Sequence, residues 1–325
     1  MKQQSKRVLI TGAAGFIGSH LTDRLLEQGL QVIGVDNFSR GTRDNLSEAL
    51  THPSFQFFQA DLSNVAEIRR IVLDFPIDTV WHMVANSDIA AGIADPNIDL
   101  RDTFLSTFNI LLVMAQANVK RLAFASTSAV YGVHPGALTE STGPLFPISN
   151  YGAMKLASEG AISAAVESFL ERAWIFRFPN VIGPRATHGV LFDLLNKLKH
   201  NPEYLEVLGD GTQQKPYLHV SELLDAMLFV RDRASDSLNC FNIGPEDEGT
   251  TVRAIAEAVV QLAAPATPIR FTGGNKGWVG DVPRFHYSIE KIKQLGWRPK
   301  FSSSDAVKQA LAEVYAELFV NSVSK

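Results

Sequence analysis

Short apolar runs alternate with longer segments of helical period through the first half of the chain. Val8 to Thr11, Val32 to Asp36, Phe55 to Ala60, Thr79 to Val84, Leu122 to Ser126 and Ala173 to Phe178 read as strands. Between them, apolar residues recur every three or four positions. Gly15 to Gly29 puts Ile17, Leu21, Leu25 and Leu26 on one helical face, and Ser63 to Leu73 reads as a helix with Ser63 as its N-cap. Longer helices are expected over Pro96 to Asn118 and over Tyr151 to Leu170. Parallel strands need crossover connections, so this alternation predicts an α/β fold: a doubly wound parallel sheet with helices on both faces.

After Asn180 the pattern changes. Turn signals crowd in at Gly183-Pro184, Gly209-Asp210-Gly211, Gly244-Pro245 and Gly273-Gly274, while helices remain over Val190 to His200, Ser221 to Asp232, Thr251 to Leu262 and Ser304 to Phe319. The expected organisation is a sheet domain over residues 1–180 and a smaller α/β lobe over 181–325. Segments near 217–243 are expected to rejoin the large domain. No internal repeat or low-complexity tract is visible.

Composition narrows the possibilities. The chain has 325 residues, 46% hydrophobic and 20% charged, which excludes bulk disorder. Thirty Lys and Arg against 34 Asp and Glu leave a net charge of -4, with no basic excess to hold a nucleic-acid backbone. A single cysteine, Cys240, excludes an internal disulfide framework and a cysteine-based zinc site, and fits a reducing, cytoplasmic setting. No His, Asp and Glu cluster has metal-ligand spacing, so no metal is expected. No apolar run is long enough to span a bilayer, and no leader is expected ahead of the first strand.

The sharpest local signal is Thr11-Gly12-Ala13-Ala14-Gly15-Phe16-Ile17-Gly18, at the end of the first strand and the start of the first helix. Gly12 permits a tight turn, Gly15 lets backbone approach a pyrophosphate, and Gly18 lets the helix pack closely on the strand. The phosphates then meet free N–H groups and the positive end of the helix dipole. A glycine triplet alone also suits a purely structural turn. The context adds Asp36 at the end of the second strand, 18 residues past Gly18. A carboxylate there accepts hydrogen bonds from an adenosine ribose and repels a 2′-phosphate, which favours NAD over NADP. Arg40 and Arg43 lie near enough in sequence to keep NADP open. Asp61 follows the third strand, where it can meet the adenine amine or cap the helix near Ser63.

Two later segments bear on the chemistry. Ser126-Thr127-Ser128-Ala129-Val130-Tyr131-Gly132 leaves the fifth strand, and Tyr151-Gly152-Ala153-Met154-Lys155 opens the next long helix. Tyr151 and Lys155, four apart, share a helix face. A nearby ammonium favours phenolate and is expected to lower the tyrosine pKa. A tyrosine near neutral titration is a competent base toward a sugar hydroxyl, and Thr127 can hydrogen-bond the same oxygen. Tyr-x-x-x-Lys by itself is common on helix surfaces. Its place downstream of the glycine loop, Asp36 and Thr127 gives it meaning.

These motifs, together with Asp36-Asn37, Asp61-Leu62, His82, Arg177 to Arg185, Gly209 to Val220 and Gly280-Asp281-Val282, resemble the extended short-chain dehydrogenase/reductase family, and within it the NAD-dependent nucleotide-sugar epimerases and dehydratases. The resemblance covers nearly the whole chain. It implies a Rossmann-type domain holding NAD through Gly12, Gly15, Phe16, Ile17, Gly18, Asp36, Asn37, Asp61, Leu62, Tyr151 and Lys155. It implies catalysis by Thr127, Tyr151 and Lys155. A nucleotide diphosphate sugar would be held by the C-terminal lobe through Asn180, Arg185, Lys215 and Asp281. The sugar dehydratases of the family carry Thr-Asp-Glu where this chain has Thr127-Ser128-Ala129, and its fucose synthases rely on a cysteine that is absent near this loop. What remains is oxidation and re-reduction at C4 of a UDP-sugar, epimerisation of the UDP-glucose/UDP-galactose type. A UDP-glucuronate 4-epimerase and a UDP-uronate decarboxylase share the first step. The family's diphosphate segment has Arg-Asp where this chain has Lys215-Pro216, and its later phosphate arginine is Trp278 here. His82 reads as a structural histidine at a strand end. The resemblance also implies a homodimer through the helices near Pro96 to Asn118 and Tyr151 to Leu170, with Phe104, Phe108, Leu112, Ala161, Ala165 and Phe169 facing outward.

Overall fold

The computed structural model describes residues 6–277 and 282–320. Along the chain run β1 (Arg7–Thr11), α1 (Phe16–Glu27), β2 (Gln31–Asp36), β3 (Phe55–Gln59), α2 (Val65–Asp74), β4 (Thr79–His82), α3 (Ile89–Ala94), α4 (Pro96–Asp99), a π-helical stretch (Leu100–Leu105), α5 (Ser106–Gln116), β5 (Arg121–Ala125), α6 (Asn150–Ser168) and β6 (Arg172–Arg177). There follow β7 (Asn180–Ile182), α7 (Val190–His200), β8 (Leu205–Val207), β9 (Gln214–Lys215), β10 (Tyr217–His219), α8 (Val220–Arg233), β11 (Leu238–Asn242), β12 (Thr250–Thr251), α9 (Val252–Ala263), β13 (Ile269–Phe271), α10 (Glu290–Leu295) and α11 (Ser303–Tyr315).

Contacts divide the chain into two compact units. The first comprises residues 1–130, 146–177 and 227–241. Its seven-stranded sheet has the order β11-β6-β5-β4-β1-β2-β3, and β3 through β6 pair in parallel. Between β1 and β4 the strand order reverses, which in such sheets opens a crevice at the carboxyl ends. The register aligns those ends. Thr11 pairs with Val35 on one side and His82 on the other, His82 with Phe124, and Ala125 with Phe176. Asp36, the glycine loop, Ser126, Thr127 and Arg177 therefore emerge along one edge. The core below them is apolar, with Leu9, Ile33, Val80, Ile110, Leu122 and Phe124 buried among its members.

The second unit comprises residues 131–145, 178–226 and 242–325. Among its described residues it holds three two-stranded sheets, β10 with β7, β12 with β9 and β13 with β8, packed with α7, α9 and α11 around Leu195, Leu205, Ile255 and Ala306. Buried Asn242 ties its segments together. Its side-chain amide donates to the carbonyls of Leu138 and Ser288, its Oδ1 accepts from Tyr131 and Tyr287, and its backbone N–H donates to Glu140.

Several local readings differ from expectation. The returning segment is 227–241, so Tyr217 to Ala226 stay with the second unit, as do residues 131–145. The N-cap of α2 is Asn64, whose side chain accepts from the Ala66 N–H, in place of Ser63. β4 ends at His82, two residues early. The single helix expected over Pro96 to Asn118 is α4, the π-helical stretch and α5. Pro96 also sets the end of α3 upstream: the residue before a proline is driven to extended backbone, and Asp95 adopts φ -138°, ψ 100° while its carboxylate caps Asn97. Ala161, Ala165 and Phe169 pack on the first unit's own core instead of facing outward. The outward residues of α6 there are Ala157, Gly160 and Ala164.

Candidate active site

The glycine loop is built by close approach. Gly12 has φ 70°, and a Cβ there would lie 2.9 Å from the Val84 backbone nitrogen. A Cβ on Gly18 would stand 1.9 Å from the Gly12 carbonyl oxygen, so α1 can start this near the loop only with glycine. Gly15 is different: its Cβ would touch only the Gly12 carbonyl, at 3.2 Å. It is the N-cap of α1 and contributes no side-chain cap, and the first turn carries no acidic residue. Phe16 and Ile17 open the helix, half-buried. The result is a helix start whose N–H groups are free of side-chain caps, which fits the pyrophosphate of a dinucleotide.

Asp36 is buried at the end of β2. Its Oδ2 accepts from the Ala14 N–H at 3.0 Å and its Oδ1 from Phe38 at 2.8 Å. Burial raises its pKa, against the backbone N–H groups that lower it. Arg40 pairs with Asp88 at 3.2 Å, which engages one of the two arginines, Arg40 and Arg43, that kept a 2′-phosphate open. A small cleft nearby is lined by Asn37, Asp61, Leu62, Val84, Asp102 and Ser106, among others. Asn37 accepts from the Ser39 N–H at 2.9 Å. Asp61 does cap its loop, accepting from the Ser63 N–H at 2.8 Å. Burial works to raise the Asp61 pKa, but hydrogen bonds from Ser63 and Asn37 outweigh it, and the carboxyl titrates below its ordinary value. Leu62 is buried, and its carbonyl accepts from Asn109. These residues suit a dinucleotide's adenosine half.

At the other end of the edge, Ser149 caps α6 by accepting the Gly152 N–H at 3.1 Å, which sets Tyr151 and Lys155 in the first turns. The Tyr151 ring is half-buried, and Thr127 stands close enough to its hydroxyl to favour the phenolate. Thr127 Oγ1 also accepts the Ala129 N–H at 3.1 Å. Lys155 Nζ donates to the Ala125 carbonyl at 2.5 Å and stands 4.6 Å from the centre of the Phe124 ring. The expectation that Lys155 lowers the Tyr151 pKa is not met. Burial pushes the phenol up to about 12, with Thr127 pulling it down and Asp99 pushing it further up. Burial also pushes Lys155 down to about 7, against Glu159. The ammonium bonds the end of β5, and desolvation dominates both groups.

His82 is fully buried between Thr11 Oγ1 at 2.8 Å and Thr107 Oγ1 at 3.1 Å, and burial pushes it down to about 3, reinforced by Lys155. It serves as a neutral strut. Two buried groups escaped the sequence reading. Asp99 accepts from Asn86 Nδ2 at 2.9 Å, while its Oδ2 is buried without a hydrogen-bond partner. Glu159 binds Ser126 at 2.5 Å and Arg177 at 2.6 Å. Its position four residues past Lys155 was the available signal. Arg177, read with the diphosphate segment, is instead a buried partner of this carboxylate.

In the second unit, β7 pairs with β10, placing Asn180 opposite Tyr217, and Asn180 Nδ2 reaches the Pro216 carbonyl at 3.4 Å. Lys215 is buried and pairs with Thr250. Arg185 has φ 65°, and its N–H donates to Glu317 at 2.8 Å. Asn180 and Lys215 thus share a neighbourhood. Asp281, with Trp278 and Gly280, lies outside the described residues. Among the described residues, no group of three or more His, Cys, Asp or Glu could hold a metal ion, and no helix is long and apolar enough to cross a membrane.

A parallel sheet in this order, with a glycine loop at its switch point and a Thr, Tyr and Lys set at its carboxyl edge, defines a Rossmann-type dinucleotide-binding protein. More specifically, the chain belongs to the NAD dependent epimerase/dehydratase family, whose family model matches residues 8–244. It is 28% identical over 326 residues to a UDP-glucose 4-epimerase of Azospirillum brasilense, covering 93% of this chain and 90% of that one. A crystal structure of a UDP-galactose 4-epimerase superposes with a TM-score of 0.84 at 34% identity, over 96% of this chain and all of the other. The Thermus thermophilus UDP-glucose 4-epimerase in complex with NAD gives 0.81 at 30% identity, over 94% and 98% of the two chains.

Proposed function

We propose that this protein is an NAD-dependent UDP-sugar 4-epimerase of the UDP-glucose/UDP-galactose type. The observation that carries the reading is the Tyr151 phenol, with Thr127 beside it and Lys155 one helical turn on, at the sheet edge that also bears the glycine loop and Asp36. Family membership and the epimerase likenesses support it.

When bound, NAD supplies a reversible two-electron oxidation at C4 of the sugar. The chain's own groups do the rest. The phenol oxygen of Tyr151 takes the proton of the sugar 4-hydroxyl and later returns one to the 4-keto oxygen. Thr127 donates a hydrogen bond to the same region and holds the phenol in line. The protonated Lys155 favours phenolate only once the burial that opposes both charges is offset. A positively charged nicotinamide contributes in that direction, because a nearby cation favours the anion. The first turn of α1 and Asp36 hold the dinucleotide, with Asn37, Asp61 and Leu62 at the adenosine. Asn180, Arg185 and Lys215 are assigned to the diphosphate, which stays anchored while the 4-keto sugar turns over, and Asp281 to another part of the nucleotide sugar. Loss of water is disfavoured by Ser128 and Ala129, since neither side chain can serve as the acid or base of an elimination.

The test is product analysis by NMR after incubation with UDP-glucose, UDP-galactose, UDP-N-acetylglucosamine and UDP-glucuronate, without added reductant. Interconversion of the first two meets the proposal. Epimerised UDP-glucuronate, or UDP-pentose with carbon dioxide, would shift the assignment to the uronate epimerase or decarboxylase. We also assign a homodimer in the cytoplasm. Exposed Leu105, Phe108 and Leu112 form an apolar stripe beside the small Ala157, Gly160 and Ala164 of α6, which supports a helix-packed partner. A monomeric mass by light scattering at micromolar concentration would contradict it.

A further inference from the structure

One buried carboxylate of the first unit has no part in the cycle above. Glu159 lies on α6 one turn past Lys155. Its Oε1 accepts from the Ser126 hydroxyl at 2.5 Å and from Arg177 Nε at 3.0 Å, and its Oε2 accepts from Arg177 Nη2 at 2.6 Å. Ser126, Lys155, Glu159 and Arg177 are each less than 10% exposed. The pair is wedged between the two elements that carry the chemistry. On one side is α6 with Lys155, and on the other is the end of β5, where Ser126 immediately precedes Thr127. A bidentate guanidinium fixes the plane of the Glu159 carboxylate. Deep burial makes such a pair a poor source of net stability, which leaves its charge and its geometry as its contributions.

We propose that Glu159 is a positioning residue of the active site: clamped by Arg177, it favours the ammonium of Lys155 over the neutral amine and fixes Ser126, and through it the hydroxyl of Thr127. This rests on the assignment of Thr127, Tyr151 and Lys155 above. The titratable groups coupled to Lys155 are Glu159, one turn further along its own helix, and His82 from β4, while Arg177 from β6 lies against Glu159. Asp99 from α4 acts on Tyr151. His82 is held neutral, and Arg177 is spent on Glu159, so Glu159 is the group in this set that favours the ammonium. The direction agrees with the electrostatics: burial lowers the Lys155 pKa and Glu159 opposes it.

The test follows Lys155 directly, by NMR of the full-length protein carrying lysine labelled with carbon-13 at Cε. The protein is titrated with and without saturating NAD, and the Lys155 signal is assigned by its loss in Lys155→Met. Glu159→Gln is expected to move the Lys155 midpoint to lower pH by about one unit, a tenfold loss of proton affinity, and the alkaline limb of kcat with it. Glu159→Asp restores most of the midpoint. Glu159→Gln strands a buried guanidinium, so the double variant Glu159→Gln/Arg177→Met provides a second measurement. It removes both charges and moves the midpoint the same way, by less. Ser126→Ala leaves the midpoint in place and lowers kcat several-fold at unchanged KM. A Lys155 midpoint equal to wild type in both folded Glu159 variants overturns the charge role, and an unchanged kcat in Ser126→Ala overturns the geometric one. Absence of turnover on every UDP-sugar would sink the functional reading and leave the Lys155 titration still measurable.

Discussion

The two units use their buried acids differently. In the second unit, buried and half-buried carboxylates fasten distant segments to one another. Glu222 Oε1 accepts from the Lys300 and Phe301 N–H groups. Asp247 accepts from the N–H and hydroxyl of Ser303 at 2.6 and 2.5 Å, and Glu313 meets His219 at 2.8 Å. These are staples between distant loops. In the first unit, Asp99 and Glu159 act on groups that titrate, Asp99 on Tyr151 and Glu159 on Lys155. A staple satisfies backbone that would otherwise be buried unpaired. A charge at the edge sets the protonation of a neighbour. Burial is common to both, so burial alone does not mark a functional acid; what it faces does.

Substitutions should separate the two kinds. The largest effect is expected at Tyr151. Tyr151→Phe hardly changes shape, yet it removes the one group assigned to proton transfer, and kcat should fall about 10⁴-fold while NAD and UDP-sugar stay bound. Near-normal turnover, measured with binding by calorimetry in the same preparation, would show that the acid/base is misassigned. Thr127→Val deletes one hydrogen bond at the reacting oxygen and should lower kcat about 10²-fold. If Ser126→Ala were the more damaging of the two hydroxyl changes, the loop register would be wrong, although Ser126 points to Glu159 here. For the staples the pattern inverts. Glu222→Ala orphans two backbone N–H groups and should cost about 1–3 kcal/mol in urea unfolding, with kcat unchanged. A kcat loss without a stability loss there would break the comparison.

Much of the first unit was legible because its chemistry rides on fixed local spacing. Gly12, Gly15 and Gly18 define a turn that few other residues tolerate, and Tyr151 and Lys155 need only a helix to share a face. What escaped depends on which elements meet. Arg177 looked like part of a phosphate segment, because nothing local says that β6 lies beside β5 and under α6. Asp99 sat inside what read as one long helix. The break came from Asp95 and Pro96, whose backbone preference overrides the apolar period. Ser63 lost the capping role to Asn64, a one-residue shift that propensity does not decide. The fate of Lys155 was unreadable for a different reason: spacing predicts proximity to Tyr151, while desolvation is a property of the folded interior. The second unit is harder still, since its strands run two or three residues and carry little periodicity.

A further expected effect follows from that desolvation and can be read without substrate. Lys155 has its ordinary value of 10.5 in the unfolded chain and about 7 in the folded one. Below pH 7 both states carry the proton, and the cost of burying the charge is constant. Between about 7 and 10.5 the unfolded chain binds the proton and the folded one does not, so stability rises with pH. The slope from one group cannot exceed about 1.4 kcal/mol per pH unit. Tyr151 acts in the opposite sense, but later. Its folded value of about 12 lies above the ordinary 10, so its contribution is present below pH 10 and fades as the pH climbs toward 12. Urea midpoints of cofactor-free protein, measured every half unit from pH 6.5 to 9, should therefore climb more steeply in wild type than in Lys155→Met. The difference between the two curves isolates the lysine from every other titrating group. Parallel curves would mean that Lys155 stays charged in the folded protein, as an ordinary surface lysine does, and that α6 does not bury it.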